Sequence, residues 1–288
     1  KERLGDVLPK PSKEGYLDVR YVVVPEQLHQ LYQFSERLPL FQMIAKNVGI
    51  KRAKAEFILC TNIDLLFSDE LMSFLAKQEL RKGNYYRANR CDIPKNIDES
   101  KSMDELLDWS SKNIQKRLGK SRYYSNFSDT NSILFRIPVF APALRILSKL
   151  KTLISSEVRE KVNSMDTDAC GDFTLMHKDD WEKIKGYPEL EVYSLHIDSM
   201  GLFAANAVGL KQEILPWNQC AYHISHDNGW EFKDEKDKVL FYTNKPVLDW
   251  WAVYLLGLKH LKEGTTFDFN NDNWGLANQN LEEYTVYE

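Results

Sequence analysis

Residues 46–64 have the sequence Lys46-Asn47-Val48-Gly49-Ile50-Lys51-Arg52-Ala53-Lys54-Ala55-Glu56-Phe57-Ile58-Leu59-Cys60-Thr61-Asn62-Ile63-Asp64. This pattern predicts a short basic helix, a turn near residues 54–56 and a buried strand that leads to Asn62 and Asp64. Because residues i and i+2 of an extended segment point the same way, Asn62 and Asp64 are expected to share a face while Ile63 turns into the core. Two oxygen-bearing side chains at a strand end favour a site for Mg²⁺ or Mn²⁺, which bind such groups together with substrate phosphates and water.

The same run resembles a segment of family 2 glycosyltransferases of the GT-A fold. In those enzymes an Arg-Asn-x-Gly helix, an Ala-x-Gly-Glu turn and a hydrophobic strand precede an Asp-x-Asp motif that holds the sugar nucleotide. This chain has Lys46 in place of the arginine, Ala55 in place of the glycine and Asn62 in place of the first aspartate. Since an amide is a weaker cation ligand than a carboxylate, Asp64 is the stronger candidate. The alternative is that Asn62 and Asp64 form an Asx turn or cap the next element.

The resemblance covers about residues 19–230 and implies an α/β protein, with a GT-A (Rossmann-like) α/β/α sandwich around a central, mostly parallel sheet. It implies a catalytic domain, residues 1–230, with a helical insertion at about 95–165. Residues 231–288 are then a C-terminal helical extension packed on the same domain. The family has a nucleotide-binding strand before the one predicted here at 19–24, and no apolar candidate for it precedes residue 19. Either that strand lies outside this chain or the sheet begins differently.

Composition narrows the functional classes. The chain has 288 residues, with 42 acidic and 38 basic side chains and a formal charge of −4. Without long blocks of like charge, this balance does not favour a nucleic-acid partner. Four widely spaced cysteines without a CxxC pair indicate reduced core residues of a cytoplasmic protein. No apolar run of about 18 residues occurs, so no transmembrane segment is predicted.

Hydrophobic periodicity predicts the remaining elements. Further strands are expected at 85–90, 173–176, 210–215 and 220–224. Helices are expected at 69–77 with Ser68 as the N-cap, and at 103–118, 138–153, 179–184, 197–207 and 246–262. The amphipathic helix 138–153 is expected to pack on the domain, with peripheral docking on a membrane or a partner as the alternative. Arg87 and Arg90 of strand 85–90 either contact a phosphate or acceptor or are ordinary solvated arginines.

A second informative region begins at Ala169. Gly171 permits close backbone approach before the predicted strand 173–176. The resemblance assigns Gly171 and Asp172 to sugar-nucleotide binding, together with the residues of the first region: Lys46, Asn47, Asn62 and Asp64. Asp198 stands where the family has a Glu-Asp pair at a helix start, so it is implied to be the general base. Capping of that helix is the equally supported alternative.

The last predicted core strand, 220–224, runs into two histidines, His223 within its end and His226 just beyond it. Family members often place a histidine there that reaches the metal or the diphosphate, and imidazole is an acceptable Mn²⁺ ligand. The implied cation ligands are therefore Asp64, Asn62, His223 and His226. A single histidine would more often be structural, but two histidines and Asp227 in a polar loop favour a functional role.

The function implied is that of a metal-assisted glycosyltransferase of hexosyltransferase type, inverting, in glycan or polysaccharide biosynthesis. It would move a sugar from a nucleotide-diphosphate sugar donor to a hydroxyl acceptor, such as a glycan. Two alternatives remain. A nucleotidyltransferase would usually show a glycine-rich basic loop near its first strand, which this sequence lacks. A non-catalytic sugar- or nucleotide-binding domain fits if the first strand of the family is truly absent.

Overall fold

A computed structural model describes residues 3–15, 17–119, 165–226, 236, 240 and 245–287. The helices in chain order are α1 (Leu4–Val7), α2 (Glu26–His29), α3 (Gln42–Arg52), α4 (Asp69–Ala76), α5 (Met103–Lys112), α6 (Lys178–Ile184), α7 (Ile197–Ala207) and α8 (Trp250–Glu263). The strands are β1 (Arg20–Val23), β2 (Phe57–Thr61), β3 (Leu65–Phe67), β4 (Asn84–Arg87), β5 (Asn89–Ile93), β6 (Lys116–Leu118), β7 (Phe173–His177), β8 (Lys211–Ile214), β9 (Cys220–Ile224) and β10 (Glu282–Thr285). The predicted α/β class is confirmed.

The first four-stranded sheet has the order β2-β7-β4-β8. Strands β2, β4 and β8 point the same way, and β7 lies reversed between β2 and β4, antiparallel to both. Side chains of β2 alternate between the two faces: Ile58 and Cys60 belong to one apolar cluster, and Phe57 and Leu59 pack against another. The first cluster includes residues of α3, α6, α7 and α8, and the second includes residues of α4. Helices therefore cover both faces of this sheet.

The second four-stranded sheet has the order β3-β9-β5-β6. The chain crosses from the first sheet to the second three times, through residues 62–64 between β2 and β3, through Ala88 between β4 and β5, and through residues 215–219 between β8 and β9. Strand β9 is antiparallel to β3 and parallel to β5. The two sheets therefore meet where the predicted site residues Asn62 and Asp64 lie.

The prediction of one central, mostly parallel sheet is wrong for the described strands. They form three sheets, and of seven paired strand contacts only β4–β8 and β5–β9 are parallel. The reason is the reversed strand β7, which makes both of its pairings antiparallel, and the break at Ala88. That break divides the predicted strand 85–90 into β4 and β5.

The strand predicted at 19–24 exists as β1, but it pairs with β10 in a separate two-stranded sheet. Strand β10 was not predicted, because Glu282-Glu283-Tyr284-Thr285 has no apolar alternation. The helix predicted at 103–118 ends at Lys112, and residues 116–118 instead form β6 along β5. The helix predicted at 138–153 lies outside the described residues, as does the greater part of the expected insertion.

The chain after residue 245 packs on the helices that cover the first sheet. Helix α8 lies against α7, and the 3₁₀ turn Trp274–Leu276 lies against α3. Trp274 is buried, with the ammonium of Lys51 4.5 Å from its ring centroid, and Arg52 donates to the carbonyls of Gly275 and Leu276. In the part of the chain that the structure describes, no helix combines the length and apolar character needed to cross a membrane.

Candidate cation and substrate site

The bend between β2 and β3 positions Asp64. Strand β2 ends at Thr61 and β3 begins at Leu65, so residues 62–64 are not extended. The expectation that Ile63 turns into the core is wrong, because its side chain is fully exposed. The bend turns the apolar side chain to solvent and leaves Asp64 facing the end of β9.

Asp64 meets both predicted histidines. Its Oδ2 lies 2.8 Å from Nε2 of His226 and 3.3 Å from Nε2 of His223. His223 is buried on β9, opposite Leu65 of β3, whereas His226 follows the strand and is half exposed. One ligand atom from each residue lies within 4.8 Å of the other two. The structure therefore brings Asp64 together with two histidines that lie about 160 residues later in the chain.

The charges of this cluster stabilise each other. Burial by itself would raise the pKa of Asp64, but the hydrogen bond and charge of His223, with the contact to His226, lower it to about 2. Burial would lower the pKa of His223, but hydrogen bonding to Asp64 and Asp92 raises it to about 9. Asp64 is therefore a carboxylate, and His223 has a proton to release when its ring nitrogen binds a cation.

A chain of ion pairs continues from His223 across the face of β5. Nδ1 of His223 lies 3.2 Å from Oδ1 of Asp92, and Asp92 Oδ1 lies 2.5 Å from Nε of Arg90. Nη1 of Arg90 is 3.1 Å from Oδ2 of Asp172. Burial would raise the pKa of Asp92, but His223 and Arg90 lower it. Arg90 is thus the cation between two carboxylates.

Asn62 lies at the opposite end of this row of ion pairs from Asp64, next to Asp172. Its amide donates to Oδ1 of Asp172 at 2.7 Å, and its Oδ1 accepts from Gln42 at 3.0 Å. Both ends of the amide therefore have partners other than Asp64. The structure places Asn62 beside the sequence-predicted Asp172, in the partition described next.

Two adjoining cavities meet at Gln42, Asn62, Arg90, Asp172 and Ser194, which line both. The first, here called the histidine cavity, has a volume of about 520 Å³ and is also lined by Lys46, Asp64, His223 and His226. The second, the Asp198 cavity, has a volume of about 640 Å³ and is also lined by Gly171, His196, Asp198 and Trp250. A third cavity, of about 620 Å³ near Tyr32, contains none of the predicted site residues. The shared residues form a polar partition between the first two cavities.

Asp198 lies in the first turn of α7, and the residue at the N-cap position is His196. Its Oδ2 accepts from the backbone N–H of Gly171 at 2.8 Å, and its Oδ1 accepts from that of Ser199 at 2.9 Å. A Cβ on residue 171 would lie 3.0 Å from Asp198 Oδ2, so the absence of a side chain at Gly171 lets this carboxylate approach the backbone closely. The carboxylate therefore joins the 169–172 turn to α7 while it lines the cavity.

Lys46 and Asn47, predicted together, lie in different surroundings. Lys46 lines the histidine cavity and donates to the carbonyl of Gly171 at 2.7 Å. Asn47 is fully buried, and its amide donates to the carbonyl of Tyr187 and to Glu189 and accepts from the N–H of Tyr187. The structure thus gives Asn47 the role of holding the 186–189 turn against α3.

Other polar residues near the site differ from what the sequence suggested. Arg87 is completely buried and donates to the carbonyls of Asp168 and Cys170, so it is not a solvated arginine. Sequence reasoning missed Asp92 and Gln42. The alternation of Arg90 and Asp92 with apolar Cys91 and Ile93 did carry a signal, because it places both charges on one face of a strand.

The donor set fits a divalent cation. It offers a carboxylate oxygen and two imidazole nitrogens that converge from a strand end, a bend and a loop. The second oxygen of Asp64, Oδ1, is buried and has no hydrogen-bond partner among the described residues. A carboxylate oxygen without a donor is costly when buried, and a cation would satisfy it. No family model matches the chain, and a search of curated proteins found no match either.

Proposed function

We propose that this protein is a glycosyltransferase that moves a sugar from a nucleotide-diphosphate sugar to a hydroxyl acceptor. One observation carries the proposal: Asp64, His223 and His226 converge in one cavity, and Asp198 lines the adjoining cavity across a shared polar partition. Such a transfer needs a site for an anionic leaving group and a carboxylate near the acceptor. The resemblance of residues 46–64 to the sugar-nucleotide segment of GT-A enzymes supports the same reaction.

The histidine cavity is proposed to bind the diphosphate. A cation held by Asp64, His223 and His226 would neutralise the charge that develops on the leaving diphosphate, which is worth several kcal/mol. Lys46 and Arg90 line the same cavity and add positive charge. Two imidazoles among three ligands favour Mn²⁺ over Mg²⁺, because Mg²⁺ prefers oxygen donors.

The Asp198 cavity is proposed to bind the acceptor. Each oxygen of Asp198 accepts one backbone N–H, which fixes the carboxylate and leaves each oxygen a further lone pair. Asp198 would then take the proton of the attacking hydroxyl. Trp250, which lines the same cavity, offers an aromatic surface for a sugar ring.

A non-catalytic nucleotide- or sugar-binding domain is the second candidate. It is favoured by the structural part that Asp198 plays, because both of its oxygens already join the 169–172 turn to α7. In this alternative the histidine cavity binds a ligand, and Asp198 only shapes the adjoining wall.

Calorimetry with a panel of nucleoside diphosphates, with and without Mn²⁺, tests the binding step that both candidates share. We expect binding of at least one nucleotide that requires Mn²⁺ and is lost in Asp64→Asn, while Asp268→Asn, an exposed carboxylate elsewhere, binds normally. Absence of nucleotide binding by the folded wild-type protein would contradict both the glycosyltransferase and a nucleotide-binding domain, and would leave only a domain that binds sugar.

Turnover of the matching nucleotide sugar then separates the two candidates. Loss of a general base typically lowers the rate about 10²–10⁴-fold. We expect a loss of this size in Asp198→Asn, which keeps the size and most of the polarity of the side chain but cannot accept the proton. Near-normal turnover by folded Asp198→Asn would exclude Asp198 as the general base. If the wild-type protein binds donor and acceptor but transfers no sugar, the non-catalytic binding domain is the candidate that remains.

A further inference from the structure

His223 lies between two carboxylates. Its Nε2 is 3.3 Å from Asp64 Oδ2, and its Nδ1, at the opposite edge of the ring, is 3.2 Å from Asp92 Oδ1. Nδ1 is buried and has no aligned hydrogen-bond partner among the described residues, and the carboxylate of Asp92 lies within hydrogen-bonding distance of it.

The pairing of β5 with β9 sets this contact. The two strands are parallel neighbours, and their register places Asp92 directly opposite His223. Side chains on opposed residues of neighbouring strands lie on the same face of the sheet. Cys91 and Ile93, on either side of Asp92, are buried in the core on the other face. The core packing of β5 therefore holds Asp92 against the imidazole.

Arg90 restrains Asp92 in turn. It is two residues earlier on the same strand and face, and it pairs with Asp92 through Nε and with Asp172 through Nη1. Its side chain is 19% exposed and lines both the histidine cavity and the Asp198 cavity. Without the guanidinium of Arg90, the carboxylates of Asp92 and Asp172 would face each other across the partition with no positive charge between them.

We propose that Asp92 is a positioning residue that holds the Nδ1–H of His223, so that Nε2 faces the cation, and that Arg90 holds Asp92 in place. This rests on the proposed cation site. An imidazole binds a metal through one nitrogen when the other carries the proton, and the partner of the second nitrogen decides which tautomer forms. Asp92 touches neither the cation nor the substrate in this arrangement.

Mn²⁺ binding measured by electron paramagnetic resonance, without nucleotide, gives the first test. Loss of an outer partner of a metal ligand typically weakens binding about 10–100-fold, and we expect this for Asp92→Ala. Asp92→Asn keeps an oxygen that can accept from Nδ1–H, so we expect a smaller loss. Arg90→Gln should weaken binding in the wild-type background, and it should not weaken binding further in Asp92→Ala. The control Asp108→Asn, on the exposed face of α5, should bind like wild type.

Nitrogen-15 spectra of the metal-free protein at pH 10, above the pKa of about 9 that hydrogen bonding to Asp64 and Asp92 gives His223, are a second test that needs no cation. Asp64 and Asp92 compete for the ring proton of His223 in the metal-free protein, so we expect a substantial share of the Nδ1–H tautomer in wild type and a shift to the Nε2–H tautomer, which pairs with Asp64, in Asp92→Ala. Folded Asp92→Ala with wild-type Mn²⁺ affinity and an unchanged tautomer would overturn the proposal. If Asp92→Ala does not fold, the same two measurements on Asp92→Leu decide, because leucine keeps the bulk of the side chain but offers no acceptor to Nδ1–H; unchanged values in that variant also overturn the proposal.

The two tests separate this proposal from the proposed function. Wild-type protein that binds no Mn²⁺ would remove the cation site and with it the role of Asp92 in metal binding, while the tautomer spectra would still report whether Asp92 orients His223. Normal Mn²⁺ binding that is independent of Asp92 would leave the cation site intact and remove the positioning role alone.

Discussion

The charge interaction between Asp64 and His223 makes a specific prediction for stability as a function of pH. The perturbation is Asp64→Asn in metal-free protein, which removes the charge and keeps a side chain of similar size. The pKa of Asp64 falls from its usual 3.8 to about 2 in the folded protein. At about 1.4 kcal/mol for each pKa unit, the full shift corresponds to about 2 kcal/mol. Since 26% of the side chain is exposed, solvent screening reduces our expectation to about 1 kcal/mol.

The pH range follows from both partners. A carboxyl whose pKa is lower in the folded state stabilises the fold above its unfolded value, and this stability is lost as the pH falls through the folded value. The contribution of Asp64 is therefore complete above about pH 4 and disappears towards pH 2. His223, whose pKa rises from 6.5 to about 9, contributes fully below pH 6.5 and loses its contribution as the pH rises through 9. The interaction should be strongest between about pH 4 and 6.5.

Urea unfolding followed by circular dichroism, in the presence of a chelator, measures this difference. We expect Asp64→Asn to be less stable than wild type by about 1 kcal/mol at pH 5.5 and by much less at pH 10 and at pH 2.5. The exposed control Asp268→Asn corrects for general effects of pH. A difference between wild type and Asp64→Asn that is the same at pH 5.5 and pH 10 would refute the charge interaction and with it the assigned geometry.

Three further predictions concern the frame of the site and are measured by urea and thermal unfolding. Asn47→Ala should destabilise the fold by about 3 kcal/mol, because it removes three hydrogen bonds of about 1 kcal/mol each, two of them buried and one partly buried; a loss below 1 kcal/mol would contradict this. Gly257→Ala should cost about 1–3 kcal/mol, since a Cβ would lie 2.6 Å from the ring of Phe203, whereas Gly49→Ala, with open space around it in α3, should stabilise by about 1 kcal/mol. Equal effects of the two glycine variants would argue against the close packing of α7 and α8. Trp274→Ala should lower the free energy of unfolding by about 3–5 kcal/mol, because it leaves a cavity in place of a buried side chain. An unchanged midpoint of unfolding would show that the turn Trp274–Leu276 does not pack on α3.

Much of the local structure could be predicted from the sequence, because periodicity and capping are local properties. The strand ending near Asn62, the helix that starts after Ser68, the strand containing His223 and the helix containing Asp198 are all present within a few residues of their predicted bounds. Ser68 caps α4 as predicted, accepting from the N–H of Leu71. The meeting of Asp64 with His223 and His226 was also predicted, from the position of each at a strand end together with the resemblance.

The tertiary structure alone decided how these elements are arranged. Local pattern gives the period of a strand but not its neighbour, its direction or its register, which depend on hydrogen bonds to distant residues. For that reason the reversal of β7, the break at Ala88 and the position of Asp92 opposite His223 could not be predicted. The same reason applies to Asn47: the resemblance assigns it to ligand binding, but its hydrogen bonds to the backbone of the distant Tyr187 could not be predicted from local sequence.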